Sequence, residues 1–187
     1  AMEMKKLAEI IELAMGMWKY TPERDSRAEF IKSAIRGDLA FCYTLADEAG
    51  LKNKQFISVF YATGISNPDS QDIIETFKDQ YKFGLLPFIE ENEFYGMIYT
   101  DNSIEKGVEL KSACLKMFEK LKDGRKDVRI FHSTGLEDLD NAVEGFRIIS
   151  ETYEQVEIVF PFKRVFTKYE MSMVSNCIGL QVQNSAL

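Results

Sequence analysis

The sequence has few of the residues that bind metals or act as catalytic nucleophiles. It contains one histidine, His132, and three cysteines that lie far apart, Cys42, Cys114 and Cys177. There is no CxxC pair and no Cys–His neighbour, whereas a structural zinc site needs four such ligands close together. An odd number of scattered cysteines does not form a disulfide framework either. We therefore expect three buried thiols in a reducing cytoplasm, with no metal site and no cofactor.

Long apolar runs and a basic surface are also missing. No segment of about 18 consecutive apolar residues occurs, so the sequence predicts no transmembrane helix and no membrane partner. Glu9 and Glu12 interrupt the first apolar pattern, which excludes a secretory signal. The net charge is −7, and it lies entirely in residues 55–187, which hold 14 basic and 21 acidic side chains. Because duplex binding requires a basic surface that neutralises phosphates, we expect no direct nucleic-acid binding by this chain.

The first 54 residues have the apolar periodicity of helices. Residues 3–20 predict a helix whose apolar stripe consists of Leu7, Ile10, Ile11, Ala14, Met17 and Trp18. Residues 26–49 predict a second helical stretch that is interrupted at Gly37-Asp38 and ended by Gly50. We interpret residues 1–54 as a helical segment for linking or dimerisation, because the first helix lies outside any unit that could bury its stripe.

From residue 55 onward, strands alternate with helices. QFISVFYAT, residues 55–63, has apolar residues on both faces, which is typical of a central strand covered on two sides. The helix that follows has a buried face made of Ile73, Ile74, Phe77 and Tyr81. Residues 85–89 and 94–99 then predict a β-hairpin around the acidic turn EENE, with Asn92 in the left-handed conformation.

The second half of the chain continues this alternation. Residues 103–122 predict a helix with an apolar stripe of Ile104, Val108, Cys114, Leu115, Phe118 and Leu121. Residues 128–132 predict a short strand, and Thr134 with Glu137 has the spacing of a capping box for the next helix. The apolar face of that helix consists of Leu139, Ala142, Val143, Phe146, Ile149 and Tyr153. A last strand is predicted over residues 156–162 and a C-terminal helix over residues 166–183.

The predicted order is therefore β-α-β-β-α-β-α-β. Strands that alternate with helices around one hairpin indicate an α/β (α+β) fold, a mixed ferredoxin-like sheet with covering helices. We place this unit at residues 55–165, after the N-terminal helices and before a C-terminal helix at residues 166–187.

Three stretches within residues 27–162 resemble a known family. They are RAEFIKSAIRGDLAFCYTLADEAGL running into QFISVFYA, the hairpin LLPFIEENEFYGMIY, and HSTGLEDLDNAVEGFRIISETYEQVEIVFPF. In these patterns the chain is similar to the GGDEF-like middle domain of PucR/CdaR-type transcription regulators of purine and sugar-diacid catabolism. The resemblance implies a nucleotidyl-cyclase-like fold, a degenerate relative of diguanylate cyclase domains.

The departures from the cyclase pattern exclude its chemistry. The cyclase hairpin reads Gly-Gly-Asp/Glu-Glu-Phe, whereas residues 90–94 here read EENEF. Glycines let a backbone approach a nucleotide closely, and side chains prevent that approach. The strand end YATGI, residues 61–65, lacks the aspartate that holds the metal in a cyclase, which leaves Glu93 as one surviving acid. One carboxylate does not supply the oxygen ligands that Mg²⁺ needs, so we expect no enzyme activity and no catalytic residues.

Other candidate residues have structural interpretations. His132 and Ser133 are adjacent on a strand and therefore point to opposite faces, so we interpret His132 as a partly buried structural residue. The acids Glu137, Asp138 and Asp140 lie at a helix start, where the helix dipole favours negative charge. An aromatic set on the strands is expected to form close-packed core: Phe56, Phe60, Tyr61, Phe88, Phe94, Tyr95 and Tyr99.

These observations favour a cytoplasmic regulatory domain, serving dimerisation or signal relay, from a PucR/CdaR-like bacterial transcription regulator. The resemblance implies a DNA-binding helix-turn-helix further along such a protein, and nothing after Arg164 has that form. The alternative is a small-molecule sensor that binds an unidentified metabolite in the altered cyclase-like cleft. We expect the chain to form a homodimer.

Overall fold

The computed structural model describes residues 2–19, 25–101, 107–135 and 138–185 of the chain. Its helices are α1 (Met2–Lys19), α2 (Ser26–Ile35), α3 (Leu39–Leu45), α4 (Asn67–Tyr81), α5 (Gly107–Lys122), α6 (Leu139–Val159) and α7 (Lys168–Ser185). Its strands are β1 (Gln55–Thr63), β2 (Gly84–Glu90), β3 (Glu93–Thr100), β4 (Arg129–Thr134) and β5 (Val165–Phe166).

The five strands form one mixed sheet in the order β2-β3-β1-β4-β5. Strand β1 pairs antiparallel with both β3 and β4, β2 pairs antiparallel with β3, and β5 pairs parallel with β4. Since β1 and β2 both run against β3, they are parallel to each other and α4 connects them. In the same way β3 and β4 are parallel and α5 connects them. Two split β-α-β units of this kind make the ferredoxin-like arrangement, so the predicted fold class is confirmed.

Helices cover both faces of the sheet. Helices α4 and α5 lie on one face, where the core contains Ile57, Phe60, Ala62, Ile74, Phe94, Ile98, Leu110, Met117, Phe118 and Leu121. Helices α2, α3, α6 and α7 lie on the other face, where the core contains Phe30, Ile31, Leu45, Phe56, Val59, Tyr61, Met97, Phe131, Phe146, Ile149, Phe166 and Met171. This arrangement confirms β1 as a central strand buried on both sides.

The hairpin is confirmed, but its left-handed residue is Glu91 rather than Asn92. Strands β2 and β3 pair down to Glu90 and Glu93, which leaves a two-residue turn. Glu91 has a φ of 52°, and Asn92 is not among the described residues with a positive φ. Two-residue hairpin turns that match the twist of the strands place a positive φ at their first central position, and Glu91 holds that position.

The predicted last strand over residues 156–162 is wrong. Helix α6 continues to Val159, and the strand that completes the sheet is the two-residue β5. Val156 is fully buried, whereas Ile158 is 78% exposed and Val159 is 56% exposed, which is a helical and not an alternating pattern. Pro161 follows directly after the C-cap residue Phe160, where a helix commonly ends. A short apolar run does not distinguish a helix from a strand by its period.

Two details of the helices also differ from the predictions. The N-cap of α6 is Asp138, whose carboxylate accepts a hydrogen bond of 2.8 Å from the backbone N–H of Asn141. Thr134 ends β4 and makes no capping box, and Glu137 lies outside the described residues.

In α5 the buried face consists of Leu110, Ala113, Cys114, Met117, Phe118 and Leu121. Val108 and Leu115 are exposed, and Ile104 lies outside the described residues.

His132 lies on β4, and its side chain is buried against α5. Its ring stacks on Phe118, with 4.5 Å between the ring centroids, and its Nδ1 lies 2.8 Å from the hydroxyl of Thr134. The same hydroxyl lies 2.8 Å from that of Ser58. Burial lowers the pKa of His132 to about 4, so the imidazole is neutral at physiological pH. These contacts support the interpretation of His132 as a structural residue.

Helix α6 approaches the sheet closely at Gly145. A Cβ atom at this position would lie 2.7 Å from Cγ2 of Val59 and 3.1 Å from Cβ of Ser133, both on strands beneath the helix. Gly179 in α7 is also helical, but nothing lies within 4 Å of the place where its Cβ would be. The close contact between α6 and the sheet therefore requires a glycine at position 145, whereas position 179 in α7 has room for a side chain.

We expect opposite effects from alanine at these two glycines. Gly179→Ala gains helix propensity without a steric contact and should stabilise the protein by up to about 1 kcal/mol. Gly145→Ala gains the same propensity but pushes α6 away from β1, and should destabilise by about 1–3 kcal/mol. Urea denaturation of both variants measures the difference. Equal stabilisation by both would contradict the close approach of α6 to the sheet.

We also expect stability to fall as pH decreases from about 6.5 to about 4. In this range the unfolded chain protonates its histidine, while the buried His132 of the folded chain stays neutral. The contribution of His132 to the free energy of unfolding is therefore fully present above pH 6.5 and is lost as the pH falls toward the folded pKa of about 4. The expected loss is about 3 kcal/mol at the acid end. Because His132 is the one histidine of the sequence, urea denaturation of His132→Phe across the same pH range should lack this slope. An unchanged slope would exclude His132 as its cause.

Candidate functional site

The C-terminal end of β1 lies beside the turn of the β2–β3 hairpin. Thr63 pairs with Glu93, so the strand end at residues 61–64 lies beside the turn at residues 90–94. This is the place where the family resemblance puts a nucleotide-binding cleft. The pairing therefore brings together the two segments in which the sequence departs from the cyclase pattern.

Aromatic side chains fill the inner part of this cleft. The ring of Tyr61 stacks on that of Tyr95 at 4.5 Å and meets the edge of the Tyr153 ring at 5.5 Å. The Tyr61 hydroxyl donates a hydrogen bond of 2.9 Å to Oε1 of Glu93. Glu93, the one acid that survives from the cyclase pattern, is therefore bound to a tyrosine of the same sheet.

The outer part of the cleft is an open cavity of about 350 Å³. It is lined by Lys32, Ile35, Arg36, Phe88, Glu90, Glu93 and Tyr95. The two cations are Lys32 of α2 and Arg36, which is the C-cap residue of that helix, and the hairpin supplies the two acids and the two aromatic rings. The Nζ of Lys32 lies 5.7 Å from the centre of the Phe88 ring. We refer to this space as the hairpin cavity.

The wall of the hairpin cavity at α2 is not evident from the sequence. Lys32 and Arg36 are spaced four residues apart and so lie on one side of the helix, with Ile35 beside them. That spacing is visible in the sequence. Their position opposite the hairpin depends on how α2 packs against β2 and α6, which periodicity does not reveal.

The tyrosines of the cleft stay protonated. Burial, followed by the negative charge of Glu93, raises the pKa of Tyr95 to about 12. Burial and the hydrogen bond to Glu93 raise the pKa of Tyr61 well above its ordinary value. Neither phenol is therefore a general base near neutral pH. The arrangement can bind a ligand by charge, hydrogen bonds and ring faces, but it presents no activated nucleophile.

The remaining candidate residues lie apart from the cleft. His132 faces α5, whereas Ser133 faces α6 beside Gly145, so the two do not form a nucleophile–base pair. Asp138 caps α6, and Asp140 accepts a hydrogen bond of 2.8 Å from the Tyr43 hydroxyl. Within the described ranges, no three His, Cys, Asp or Glu side chains lie close enough to hold a metal ion.

The prediction of three buried thiols is wrong for one of them. Cys42 and Cys114 are fully buried, and burial raises their pKa values to about 11 and about 12. Cys177 lies exposed on α7, in an apolar groove between the ends of α6 and α7. The apolar residues around Cys177 in the sequence do not show on which side of the helix it lies.

Helix α1 exposes large apolar side chains. Met4, Leu7, Ile10, Ile11 and Leu13 are each half or more exposed, up to 77% for Met4. The side chains of Ala14, Met17 and Trp18, which complete the predicted stripe, lie outside the described part. None of the described helices has the length and apolar character needed to cross a membrane.

The fold is similar to that of a solved regulator. The crystal structure of a regulator of polyketide synthase expression from Bifidobacterium adolescentis matches with a TM-score of 0.55 at 7% sequence identity. The match covers 82% of this chain and 60% of that chain, so this chain spans about three fifths of its length. No protein-family model and no curated protein sequence matches the chain. At 7% identity the likeness concerns the fold alone.

Proposed function

We propose that the chain is a non-catalytic regulatory domain of a PucR/CdaR-like bacterial transcription regulator, and that it serves dimerisation or signal relay. The observation that carries this proposal is the cleft at the end of β1. A stack of tyrosine rings and the acidic turn EENE occupy the place where the resemblance puts the GTP site of a cyclase. The resemblance of three sequence stretches to this family and the likeness in fold to a regulator support it. Such a domain acts in the cytoplasm and leaves DNA binding to another segment.

The charge and shape of the hairpin both oppose nucleotide binding. Glu90 and Glu91 are exposed at the turn, where the resemblance implies that the phosphates of GTP would lie. These negative charges repel the phosphates and so disfavour nucleotide binding there, although water screens the repulsion. Glu91 also carries its side chain at a backbone position with φ 52°, where a cyclase has a flexible glycine-containing turn.

We expect no cyclic dinucleotide from GTP. The purified chain would be incubated with GTP and either Mg²⁺ or Mn²⁺, with an active diguanylate cyclase as the positive control. Chromatography should show unchanged GTP, at the level of a heat-inactivated sample. Product above that level that depends on protein concentration would contradict the non-catalytic proposal.

The exposed helix α1 supports dimerisation. Leu7, Ile10 and Ile11 lie on one side of the helix and are 50–64% exposed. Folded monomers rarely leave a continuous apolar patch of more than a few hundred Å² in water. A second copy of the same helix offers a matching apolar stripe, and two-fold pairing closes the assembly. We propose that α1 pairs with its counterpart in a homodimer.

Leu7 and Lys5 provide a test of this pairing with a control on the same helix. Both residues are exposed on α1, but Lys5 lies on the opposite side of the helix from Leu7 and Ile10. Leu7→Glu places a charge in the proposed contact and should weaken the dimer at least about tenfold, a change of about 1.4 kcal/mol. Lys5→Glu places a glutamate on the side away from the contact and should leave the dimer intact.

Sedimentation equilibrium of the full chain and both variants measures these dissociation constants. A wild-type protein that is monomeric at tens of micromolar would contradict the dimer. Equal dissociation of both variants would place the contact elsewhere on the molecule.

A second candidate function is favoured by the hairpin cavity. Its volume of about 350 Å³ is within the range of small-molecule sites, and charged groups of both signs face it. In this alternative, the domain is a sensor that binds a metabolite in the altered cyclase-like cleft.

A further inference from the structure

We infer that the hairpin cavity binds a small zwitterion of the amino-acid class, with its carboxylate at Lys32 and Arg36 and its ammonium at Glu90 and Glu93. The inference rests on the sensor function proposed above and names its ligand. It follows from three features of the cavity, which are the separation of its charges, the nature of its walls and its size.

The opposite charges of the cavity do not pair with each other. Among the described residues, no nitrogen of Lys32 or Arg36 lies within 4.0 Å of a carboxylate oxygen of Glu90 or Glu93. The carboxylate that does pair with Lys32 is Glu29, one turn earlier in the same helix, at 3.6 Å. Two cations on one wall and two acids on the opposite wall thus face a common space.

This separation selects for a ligand that carries both charges. An anion bound at Lys32 and Arg36 is repelled by the two glutamates. A cation bound at the glutamates is repelled by Lys32 and Arg36. A ligand that carries a carboxylate and an ammonium on the same carbon atom, as an α-amino acid does, avoids both penalties. The pocket therefore discriminates by repulsion as well as by attraction.

The aromatic walls and the volume of the cavity further restrict the class of ligand that it can bind. The rings of Phe88 and Tyr95 lie 6.2 Å apart at an angle of 43° and form a bent apolar surface. A ring face attracts an ammonium group and also packs against an apolar side chain. The volume of about 350 Å³ lies near the lower limit for small-molecule sites, which favours a ligand of amino-acid size over a nucleotide.

Three probes with one ring and different charges test the inference on the full chain. They are L-phenylalanine, 2-phenylethylamine and 3-phenylpropanoate, which are a zwitterion, a cation and an anion of similar shape. Isothermal titration calorimetry should show L-phenylalanine binding at least about tenfold more tightly than either of the others. Binding of the amine or the acid as tightly as the amino acid would overturn the zwitterion class and keep a ligand site. Absence of binding by all three at millimolar concentration would overturn the inference.

Variants locate the binding in the cavity. Arg36→Met and Glu90→Gln each remove one charge of an exposed pair of like charges, and each should weaken L-phenylalanine binding several-fold. Glu75→Gln removes an exposed carboxylate from α4, on the other face of the sheet, and should leave it unchanged. Binding that neither Arg36→Met nor Glu90→Gln alters would lie elsewhere and would overturn the inference. Equal binding of all three probes, altered by Arg36→Met or Glu90→Gln, would keep the sensor site and overturn only the zwitterion class. Leu7→Glu tests dimerisation, which is a separate result.

Discussion

Strand β1 is the element on which the rest of the molecule depends, because it is paired on both sides and covered on both faces. Phe60 points into the α4–α5 core, where its ring lies 5.3 Å from those of Phe94 and Phe118. The neighbouring Tyr61 points to the opposite face and stacks on Tyr95. The ring of Phe60 fits because β3 has Gly96 opposite it, where a Cβ atom would lie 2.3 Å from that ring. A single strand thus joins two separate cores.

The alternation of β1 also decides the character of the cleft. Since Tyr61 lies on the face covered by α2 and α6, its hydroxyl reaches Glu93 at the start of β3. The same face brings Lys32 and Arg36 of α2 to the hairpin. The space between the end of β1, the hairpin and α2 is consequently lined by neutral phenols and by charges of both signs. The tyrosine stack and the charged walls of the hairpin cavity therefore follow from one arrangement of β1 in the sheet.

Periodicity and turn residues predicted the order of the elements, since strands such as β1 and helices such as α4 have distinct apolar patterns. They did not separate the end of α6 from a strand, because VEIVF contains five residues and fits both periods. Nor could the sequence identify the cavity wall at Lys32 and Arg36. At least 54 residues separate these two cations from Glu90, the first acid of the hairpin. Their meeting depends on tertiary packing of α2 on the sheet. The exposure of Cys177 depends in the same way on the orientation of α7.

The two borders of the sheet restrict how copies of this protein can associate. In the described part of the chain, β2 forms one border and carries Pro87, which lacks the backbone N–H that an added strand would need. The other border is β5, which is two residues long and offers too short a template for strand addition. Continuous sheets through several copies are therefore disfavoured at both ends. Contacts between copies are therefore left to the surfaces of the helices, and the sheet itself offers little template for fibril growth.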